Sequence, residues 1–357
     1  MPSLNGSGHG GVAPRRVCLV VIARDEAARI ERLLQSVKPW VDEMLVLDTG
    51  SKDNTAALAQ SLGARVEHFS WCDDFAAARN AALDAAGADW HLVLDADETL
   101  ISGGEALLAL RGLKPDFVGS IDFLDHFEDG ASRQAHARLS RVLPGFVRYQ
   151  GRVHEQPQHQ LPIRALDLKV AHDGYLPEAL LRKRGRNEAL LQRELQERPA
   201  DAYLWYQWGK NCAVYDDHAG AEAGFSQATE LPHPEQGWWL DLVARRLYAL
   251  KQLKQHELAM QFAESQLQCC AESPDFFFAL GDLLLDLAAD TPAQGDALLP
   301  MIEDAWRRCL EIGERPDLSG AVAGRGSHLA AHNLALVLEG TGRGTEAQHL
   351  RQLHALG

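Results

Sequence analysis

Two aspartates, Asp95 and Asp97, stand one residue apart in the segment DADE, where the apolar run WHLVLD ends. Side chains alternate along an extended chain, so both carboxylates are expected on the same side. A hard cation is typically held by one or two protein carboxylates together with phosphate oxygens of the substrate. The pair therefore predicts a Mn²⁺ or Mg²⁺ site beside a phosphorylated ligand. The alternative is a solvated acidic turn that caps the next helix.

Polar residues also follow two earlier apolar runs. Asp48 ends EMLVLD, and its carboxylate can accept the N3–H of a uracil ring. The alternative is a turn in which Ser51 or Asp53 caps the following helix, and for those two residues capping is the favoured interpretation. After VCLVVIA, Arg24 could face phosphates and Glu26 could bind ribose hydroxyls. Asp25 and Glu26 could equally be first-turn acids that favour the helix dipole.

Three further residues have side chains suited to a transfer reaction. Arg79 in DDFAAARN suits bidentate contact with a diphosphate, with a surface ion pair as the alternative. Glu155 in GRVHEQ is the candidate general base, because an acceptor must lose a proton and a partly buried Glu has a raised pKa. His172 in AHDGY could complete a metal shell, with a structural histidine as the alternative.

The elements that must position these residues begin at Val17 and alternate between strands and helices. The predicted strands are Val17–Ala23, Glu43–Asp48, ARVEHF and Trp90–Asp95, with FVGSIDFL and VRYQGRV further on; the predicted helices are ARIERLLQSV, NTAALAQSLGA and DFAAARNAALDAA. Continuous apolar strands separated by helices indicate an α/β fold with a mostly parallel sheet covered on both faces. Ligands bind outside the carboxyl ends of such strands, where the polar residues above are found.

A different pattern begins near Arg186, where helix follows helix. Tetratricopeptide-like spacing is seen in Trp205, Trp208, Gly209 and Cys212, followed by Ala221, Phe225 and Pro232. The pattern predicts three or four helix pairs stacked as an all-α solenoid. The expected organisation is a disordered leader at 1–16, an α/β domain at 17–185 and a helical-repeat domain at 186–357.

The net charge, the cysteines and the apolar runs of the sequence limit the partners and the location that are expected for this protein. The 35 Lys and Arg against 50 Asp and Glu give a net charge of −15, which argues against nucleic acid because polyanion binding needs many cationic contacts. Six scattered cysteines without CxxC spacing predict reduced thiols of a cytoplasmic protein. The apolar runs are far shorter than the ~20 residues that cross a bilayer, so no transmembrane segment is expected.

The motifs, taken in order, resemble the family 2 inverting glycosyltransferases of the GT-A fold, in particular the branch with C-terminal tetratricopeptide repeats. They are VVIARDEAARIERLLQSV, DEMLVLDTGSKDNT, DDFAAARNAAL, WHLVLDADE, GRVHEQ and HDGY followed by RNEALLQREL, and they span about Val17 to Leu195. The resemblance implies a hexosyltransferase that uses a nucleotide-sugar, usually a UDP-sugar. Transfer would be a single in-line displacement with inversion at the anomeric carbon.

The resemblance also implies roles for individual residues. The segment Ala23–Glu26 and Asp48 would hold the base and ribose, Arg79 the donor, and the two aspartates ribose and metal. The predicted substrate contacts are Ala23, Arg24, Glu26, Asp48, Arg79, Asp95, Ala96 and His154, the catalytic residues Asp97 and Glu155, and the metal ligands Asp95, Asp97 and His172. Asp25 departs from the pattern, since many relatives have Asn there.

The acceptor is not implied by the resemblance. A peptide or protein side chain is the leading hypothesis, because the concave face of a solenoid commonly binds extended polypeptide. The alternatives are a transferase for lipopolysaccharide core or a surface glycan, which an acidic surface disfavours, and a catalytically inactive repeat scaffold, which the intact DxD argues against. The repeats are also a candidate surface for a homodimer.

Overall fold

The structure, a computed structural model, describes residues 14–125, 135–172, 185–232 and 237–354. Most of the predicted leader lies outside these ranges, as does the segment 173–175 of the AHDGY motif. The chain divides into two compact units: one contains the chain up to Ile121 with Leu139–Gln150 and Glu155–Val170, and the other contains Asp122–Arg138, Gly151–His154 and the chain from Ala171. The domain boundary at residue 185 stays a prediction.

The strands of the described ranges are β1 (Val17–Ala23), β2 (Glu43–Asp48), β3 (Arg65–His68), β4 (Trp90–Val93), β5 (Glu98–Ser102), β6 (Val118–Asp125), β7 (Ala135–Pro144), β8 (Arg148–Gln150), β9 (Gln156–Gln158) and β10 (Ile163–His172). The first four helices are α1 (Ile30–Val37), α2 (Thr55–Ser61), α3 (Phe75–Ala86) and α4 (Glu105–Leu110). The later helices are α5 (Arg186–Glu197), α6 (Ala202–Val214), α7 (His218–Glu230), α8 (Trp239–Gln252), α9 (His256–Gln266), α10 (Pro274–Asp290), α11 (Gly295–Ile312), α12 (His328–Gly340) and α13 (Gly344–Leu353).

One eight-stranded sheet has the order β3-β2-β1-β4-β7-β6-β10-β5, and β8 pairs with β9 in a separate ribbon. β1 runs parallel to β2 and β4, β2 runs parallel to β3, and β4 pairs antiparallel with β7. The backbone of Ala23 is in register with that of Asp48. The carboxyl ends of β1, β2 and β4 therefore meet at one edge of the sheet. The predicted α/β fold with a mostly parallel sheet of the GT-A type is confirmed.

Burial explains why the first strands could be predicted. Six of the seven residues of β1 and five of the six residues of β2 are buried, and β4 is buried throughout. A strand buried on both faces is apolar at every position rather than at every second one. β1 and β2 consequently have the predicted bounds, residue for residue.

The helical part consists of successive pairs, α6 with α7, α8 with α9, α10 with α11 and α12 with α13, each packed on its partner. Two glycines let α6 and α7 approach closely. A Cβ added to Gly209 would lie 2.5 Å from the ring of Phe225, and one added to Gly224 would lie 2.8 Å from the backbone nitrogen of Gly209. The predicted tetratricopeptide-like solenoid is confirmed. Within the described ranges, no helix combines the length and the hydropathy that a membrane span requires.

His91 of β4 is fully buried and makes stability depend on pH. Its Nε2 accepts a hydrogen bond from the Ala88 N–H at 3.3 Å, and burial, followed by the charge of Arg148, lowers its pKa to about 4. A histidine in the unfolded chain titrates near about 6.5, so the unfolded state binds more protons between these values. The stability present above pH 6.5 is therefore lost as the pH falls toward 4.

We expect the free energy of unfolding to decrease by about 3 kcal/mol between pH 7 and pH 4 through this group alone. His91→Gln should flatten that part of the pH profile, as measured by urea unfolding at a series of pH values. His332→Gln is the matched control, because His332 is exposed on α12 and should leave the profile unchanged. An equally steep profile in His91→Gln would show that other groups produce the acid sensitivity.

Candidate active site

Asp48 ends β2 with its carboxylate folded back onto the following turn. Its Oδ1 accepts hydrogen bonds from the backbone N–H groups of Gly50 at 2.8 Å and Ser51 at 2.9 Å. Gly50 has a φ of +105°, a conformation that favours glycine. The Asp48 residue is only 4% exposed, and its Oδ2 has no hydrogen-bond partner among the described residues. The second carboxylate oxygen is thus an acceptor that the described protein atoms do not use.

The charge state of Asp48 follows from these contacts. Burial on its own raises the pKa of this carboxyl, but hydrogen bonds from Ser51 and Gly50 outweigh burial and lower the pKa below its ordinary value. The group is therefore a carboxylate at neutral pH, able to accept but not to donate.

The loop after β1 lies against the Asp48 turn. Ala23 is buried at the end of the strand, Arg24 is exposed, and Glu26 is half-buried. Asp25 between them has a φ of +57°, which aspartate tolerates better than most residues, and its N–H donates to Ser51 Oγ at 3.0 Å. The predicted base and ribose contacts of the first and second strands therefore belong to neighbouring loops.

The structure corrects two expectations about helix starts. α1 begins at Ile30, so Glu26 precedes the helix and is not a first-turn acid. Asn54, and not Ser51 or Asp53, occupies the N-cap position of α2. The Asp53 carboxylate instead accepts the N–H of a residue two positions on, which closes a local turn before the helix.

The DADE segment is a turn and not the end of a strand. β4 ends at Val93, two residues earlier than predicted. The Glu98 N–H donates to the Asp95 carbonyl at 3.0 Å, and the Asp95 N–H donates to Glu98 Oε2 at 2.8 Å. Ala96 is buried and Asp97 is half-buried in this turn. Because the chain is not extended there, strand alternation does not place the two aspartates, and β5 rather than a helix follows.

A network of buried charges surrounds Asp95. Arg79 of α3 donates from Nη2 to Asp95 Oδ1 at 2.8 Å and from Nε to Glu155 Oε1. Arg141 of β7 donates from Nη2 to Glu98 Oε1 at 3.1 Å and to Asp95 Oδ2 at 3.4 Å. The Arg79 and Glu155 side chains are 7% and 10% exposed. Arg79 is therefore not a surface ion pair, and two carboxylates compensate its charge.

The pKa values of both arginines are raised. Burial alone would lower the pKa of Arg79, but the carboxylates of Asp95 and Glu155 outweigh burial and raise it. Burial alone would also lower the pKa of Arg141, but the carboxylates of Glu98 and Asp95 outweigh burial and raise it. Both guanidinium groups are permanently charged parts of the site.

Tyr149 of β8 belongs to the same network. The Arg79 Cζ lies 5.5 Å from the centre of the Tyr149 ring. Tyr149 is 7% exposed, and neither its hydroxyl nor Arg79 Nη1 has a hydrogen-bond partner among the described residues. Sequence analysis missed Tyr149, Arg141 and the side-chain role of Glu98. Only Glu98 had a local signal, because it lies inside DADE.

The remaining predicted residues lie in the second compact unit. His154 has a φ of +53°, and burial, with a smaller contribution from Lys210, lowers its pKa to about 4. His172 is the half-buried last residue of β10. The structure therefore brings Asp95, Arg79 and Glu155 together in the first unit, whereas the two histidines belong to the other.

Comparisons with known proteins bear on the family of this chain. Residues 18–165 match the family described as "Glycosyl transferase family 2". A TPR repeat-containing protein of Synechococcus elongatus is 35% identical over 282 residues, which cover 74% of this chain and 68% of that protein. Glycosyltransferase SunS of Bacillus phage SPbeta is 27% identical over 55% of this chain and 49% of its own length. The chain thus spans about half of SunS.

Two solved structures are also similar in part. Glucosyl-3-phosphoglycerate synthase from Mycobacterium tuberculosis, in complex with Mn²⁺, UDP and glucosyl-3-phosphoglycerate, is 27% identical over 31% of this chain and 44% of its own, with a TM-score of 0.26. MamA is 14% identical over 50% of this chain and 91% of its own, with a TM-score of 0.37.

Proposed function

We propose that this chain, which belongs to glycosyl transferase family 2 and is a glycosyltransferase, moves a hexose from a UDP-sugar to a peptide or protein side chain. The transfer would invert the anomeric configuration and would use a divalent cation. The observation that carries the donor assignment is the buried Asp48 Oδ2, an acceptor without a described protein partner at the carboxyl edge of the sheet. A uracil ring presents N3–H as a hydrogen-bond donor. Asp48 Oδ2 is the atom that would accept this hydrogen bond.

Asp48→Asn tests the base assignment by reversing one hydrogen bond. The Asn oxygen must take the place of Oδ1, because the N–H groups of Gly50 and Ser51 donate there. The amide nitrogen then replaces Oδ2 and meets the uracil N3–H donor to donor, whereas N3 of cytosine is an acceptor. We expect the Kd for UDP to rise by about 10- to 100-fold, or roughly 1.4 to 3 kcal/mol, and CDP to bind better than UDP.

Isothermal titration of UDP and CDP measures both effects. Asp84→Asn is the matched control, because the Asp84 side chain is 66% exposed on α3 and should leave both affinities unchanged. An unaltered preference for UDP in Asp48→Asn would exclude Asp48 from the base site.

The carboxylates of the DADE turn fit a hard cation. Asp97 is the proposed direct ligand. Asp95 is the proposed supporting ligand, and its Oδ1 accepts from Arg79 and its Oδ2 from Arg141. Mg²⁺ and Mn²⁺ take their remaining ligands from substrate phosphates and water, so one or two carboxylates suffice. Bound Mn²⁺ or Mg²⁺ would neutralise charge on the departing UDP. His172 is proposed as a further ligand.

Glu155 is the proposed general base. Arg79 Nε fixes its Oε1, which leaves Oε2 to take the acceptor proton. The acceptor oxygen or sulfur then bonds to the anomeric carbon as the bond from that carbon to the UDP oxygen breaks. The displacement is in line, so the configuration inverts.

The peptide acceptor is supported by the helical repeats, whose stacked pairs form an extended surface of the kind that binds polypeptide. UDP release from a panel of sugar nucleotides, with and without Mn²⁺, tests the donor and metal first. Adding peptides or lipopolysaccharide core then tests the acceptor: stimulation by the core alone would favour a surface-glycan transferase. Release from no donor under any condition would favour an inactive scaffold. A homodimer through the repeats and a cytoplasmic location are further proposals.

A further inference from the structure

Two polar donors are buried in the same charged network, where the Arg79 Cζ lies 5.5 Å from the centre of the Tyr149 ring. Tyr149 is 7% exposed and Arg79 is 6% exposed, and the Tyr149 hydroxyl and Arg79 Nη1 have no hydrogen-bond partner among the described residues. Burying a donor without a partner costs about as much as losing a hydrogen bond. Two such donors in one cluster point to a ligand oxygen that accepts from both.

The charges around these donors limit what the ligand can be. The guanidinium groups of Arg79 and Arg141 donate to the carboxylates of Asp95, Glu98 and Glu155, so both cations are compensated within the protein. A phosphate would add negative charge beside these carboxylates, where both guanidinium groups already have carboxylate partners. A neutral oxygen that accepts from Tyr149 and Arg79 and donates to a carboxylate matches these groups better.

A sugar hydroxyl is such an oxygen, since it accepts and donates at once. Burial, above all other causes, raises the pKa of the Tyr149 phenol, which is therefore protonated and a donor at neutral pH. Asp95 and Glu155 are the carboxylates that could accept a hydrogen bond from the sugar hydroxyl. They are also the two carboxylates to which Arg79 donates.

On the basis of the function proposed above, we propose that Tyr149 and Arg79 Nη1 bind a hydroxyl group of the hexose being transferred, so that Tyr149 helps to determine which sugar is accepted. The diphosphate is then bound through the cation at Asp97 of the DADE turn, and not by Arg79. Arg79 was predicted from the sequence to contact the diphosphate, and here it is proposed to contact the hexose instead.

Tyr149→Phe removes only the hydroxyl. With UDP-glucose, UDP-galactose or UDP-N-acetylglucosamine, whichever the wild type hydrolyses fastest, we expect kcat/KM to fall at least about tenfold, the effect of one lost ligand hydrogen bond. The Kd for UDP alone should stay within about twofold, because UDP lacks the hexose. The melting temperature should stay the same or rise, because no described protein hydrogen bond is lost.

Tyr206→Phe is the matched control for stability. Tyr206 is also buried, but its hydroxyl donates to Asp241 Oδ2 at 2.5 Å, so removing that hydroxyl should lower the melting temperature. The comparison shows whether the assay detects the loss of a buried, bonded hydroxyl.

Three results would overturn the inference: an unchanged kcat/KM for the hexose donor, a weakened Kd for UDP in parallel with kcat/KM, or a melting temperature lowered as in Tyr206→Phe. An unchanged kcat/KM would mean that water forms hydrogen bonds with the Tyr149 hydroxyl. A weakened Kd for UDP would mean that the hydroxyl contacts the diphosphate. A lowered melting temperature would mean that the hydroxyl is hydrogen-bonded within the protein. A wild type that hydrolyses none of the three donors would show that the proposed donor class is wrong. The melting temperatures would then still show whether the Tyr149 hydroxyl is hydrogen-bonded within the protein.

Discussion

Asp97→Asn is expected to lower kcat for sugar transfer at least about a thousandfold with little change in the melting temperature. A metal ion contributes several kcal/mol by stabilising charge on the leaving group, and a thousandfold in rate corresponds to about 4 kcal/mol. Asp97 is the proposed direct ligand, and Asp95, whose two oxygens accept hydrogen bonds from guanidinium groups, is the proposed supporting ligand. Asp97 itself is half-buried in a turn outside the sheet, so the amide should be accommodated.

UDP release at saturating donor, with Mn²⁺ varied, measures this effect. The wild type should lose activity in chelator and regain it on addition of Mn²⁺, whereas Asp97→Asn should not respond to the metal. Asp84→Asn, an exposed position in the same compact unit, is the control and should behave as the wild type. Full metal-stimulated activity in Asp97→Asn would remove the DADE turn from the mechanism.

Arg79→Met is expected to lower the free energy of unfolding by about 3–5 kcal/mol and to abolish transfer. Removing one partner of a buried ion pair leaves the other charge uncompensated. The loss arises mainly at Glu155, whose side chain is 10% exposed, and less at Asp95, which is 34% exposed and keeps Arg141 as a partner. Urea unfolding measures the change.

The double variant Arg79→Met with Glu155→Met separates stability from chemistry. Replacing both partners by apolar side chains removes the uncompensated charge, so we expect a large part of the lost stability to return. Activity should not return, because the hexose contact and the proposed base are both absent. Recovery of activity would show that neither residue is needed for transfer.

Arg164→Met is the control for a surface pair. Its guanidinium lies 3.6 Å from Asp116, and the two side chains are 53% and 60% exposed. Exposed pairs contribute about 0–1 kcal/mol, so the change in unfolding free energy should be small. A loss as large as that of Arg79→Met would mean that burial does not explain the difference.

Several features of this protein could be predicted from its sequence because they depend on local order. β1 and β2 have their predicted bounds, since strands buried on both faces are uninterrupted apolar runs. The helix pair built around Gly209 and Phe225 follows from a spacing in which glycine allows a ring to pack closely. The family, and the position of DADE at the carboxyl edge of the sheet, could also be predicted from short sequence motifs.

Local order did not determine where strand β4 ends. The run WHLVLD predicted a strand to Asp95, but the strand ends at Val93 because the backbone of Asp95 is hydrogen-bonded to the side chain and backbone of Glu98. A side chain that competes for backbone hydrogen bonds is not visible in hydrophobic periodicity.

The charged centre of the site was decided only by the tertiary structure. Arg79 donates to Glu155 across 76 residues of sequence. Arg141 donates to Asp95 across 46 residues, because β7 lies beside β4 in the sheet. Periodicity and turn chemistry act over a few residues, whereas such pairs depend on which strands become neighbours. Sequence therefore identified Asp95, Arg79 and Glu155 as separate candidates, and folding joined them into one buried network, with the Tyr149 ring beside the Arg79 guanidinium.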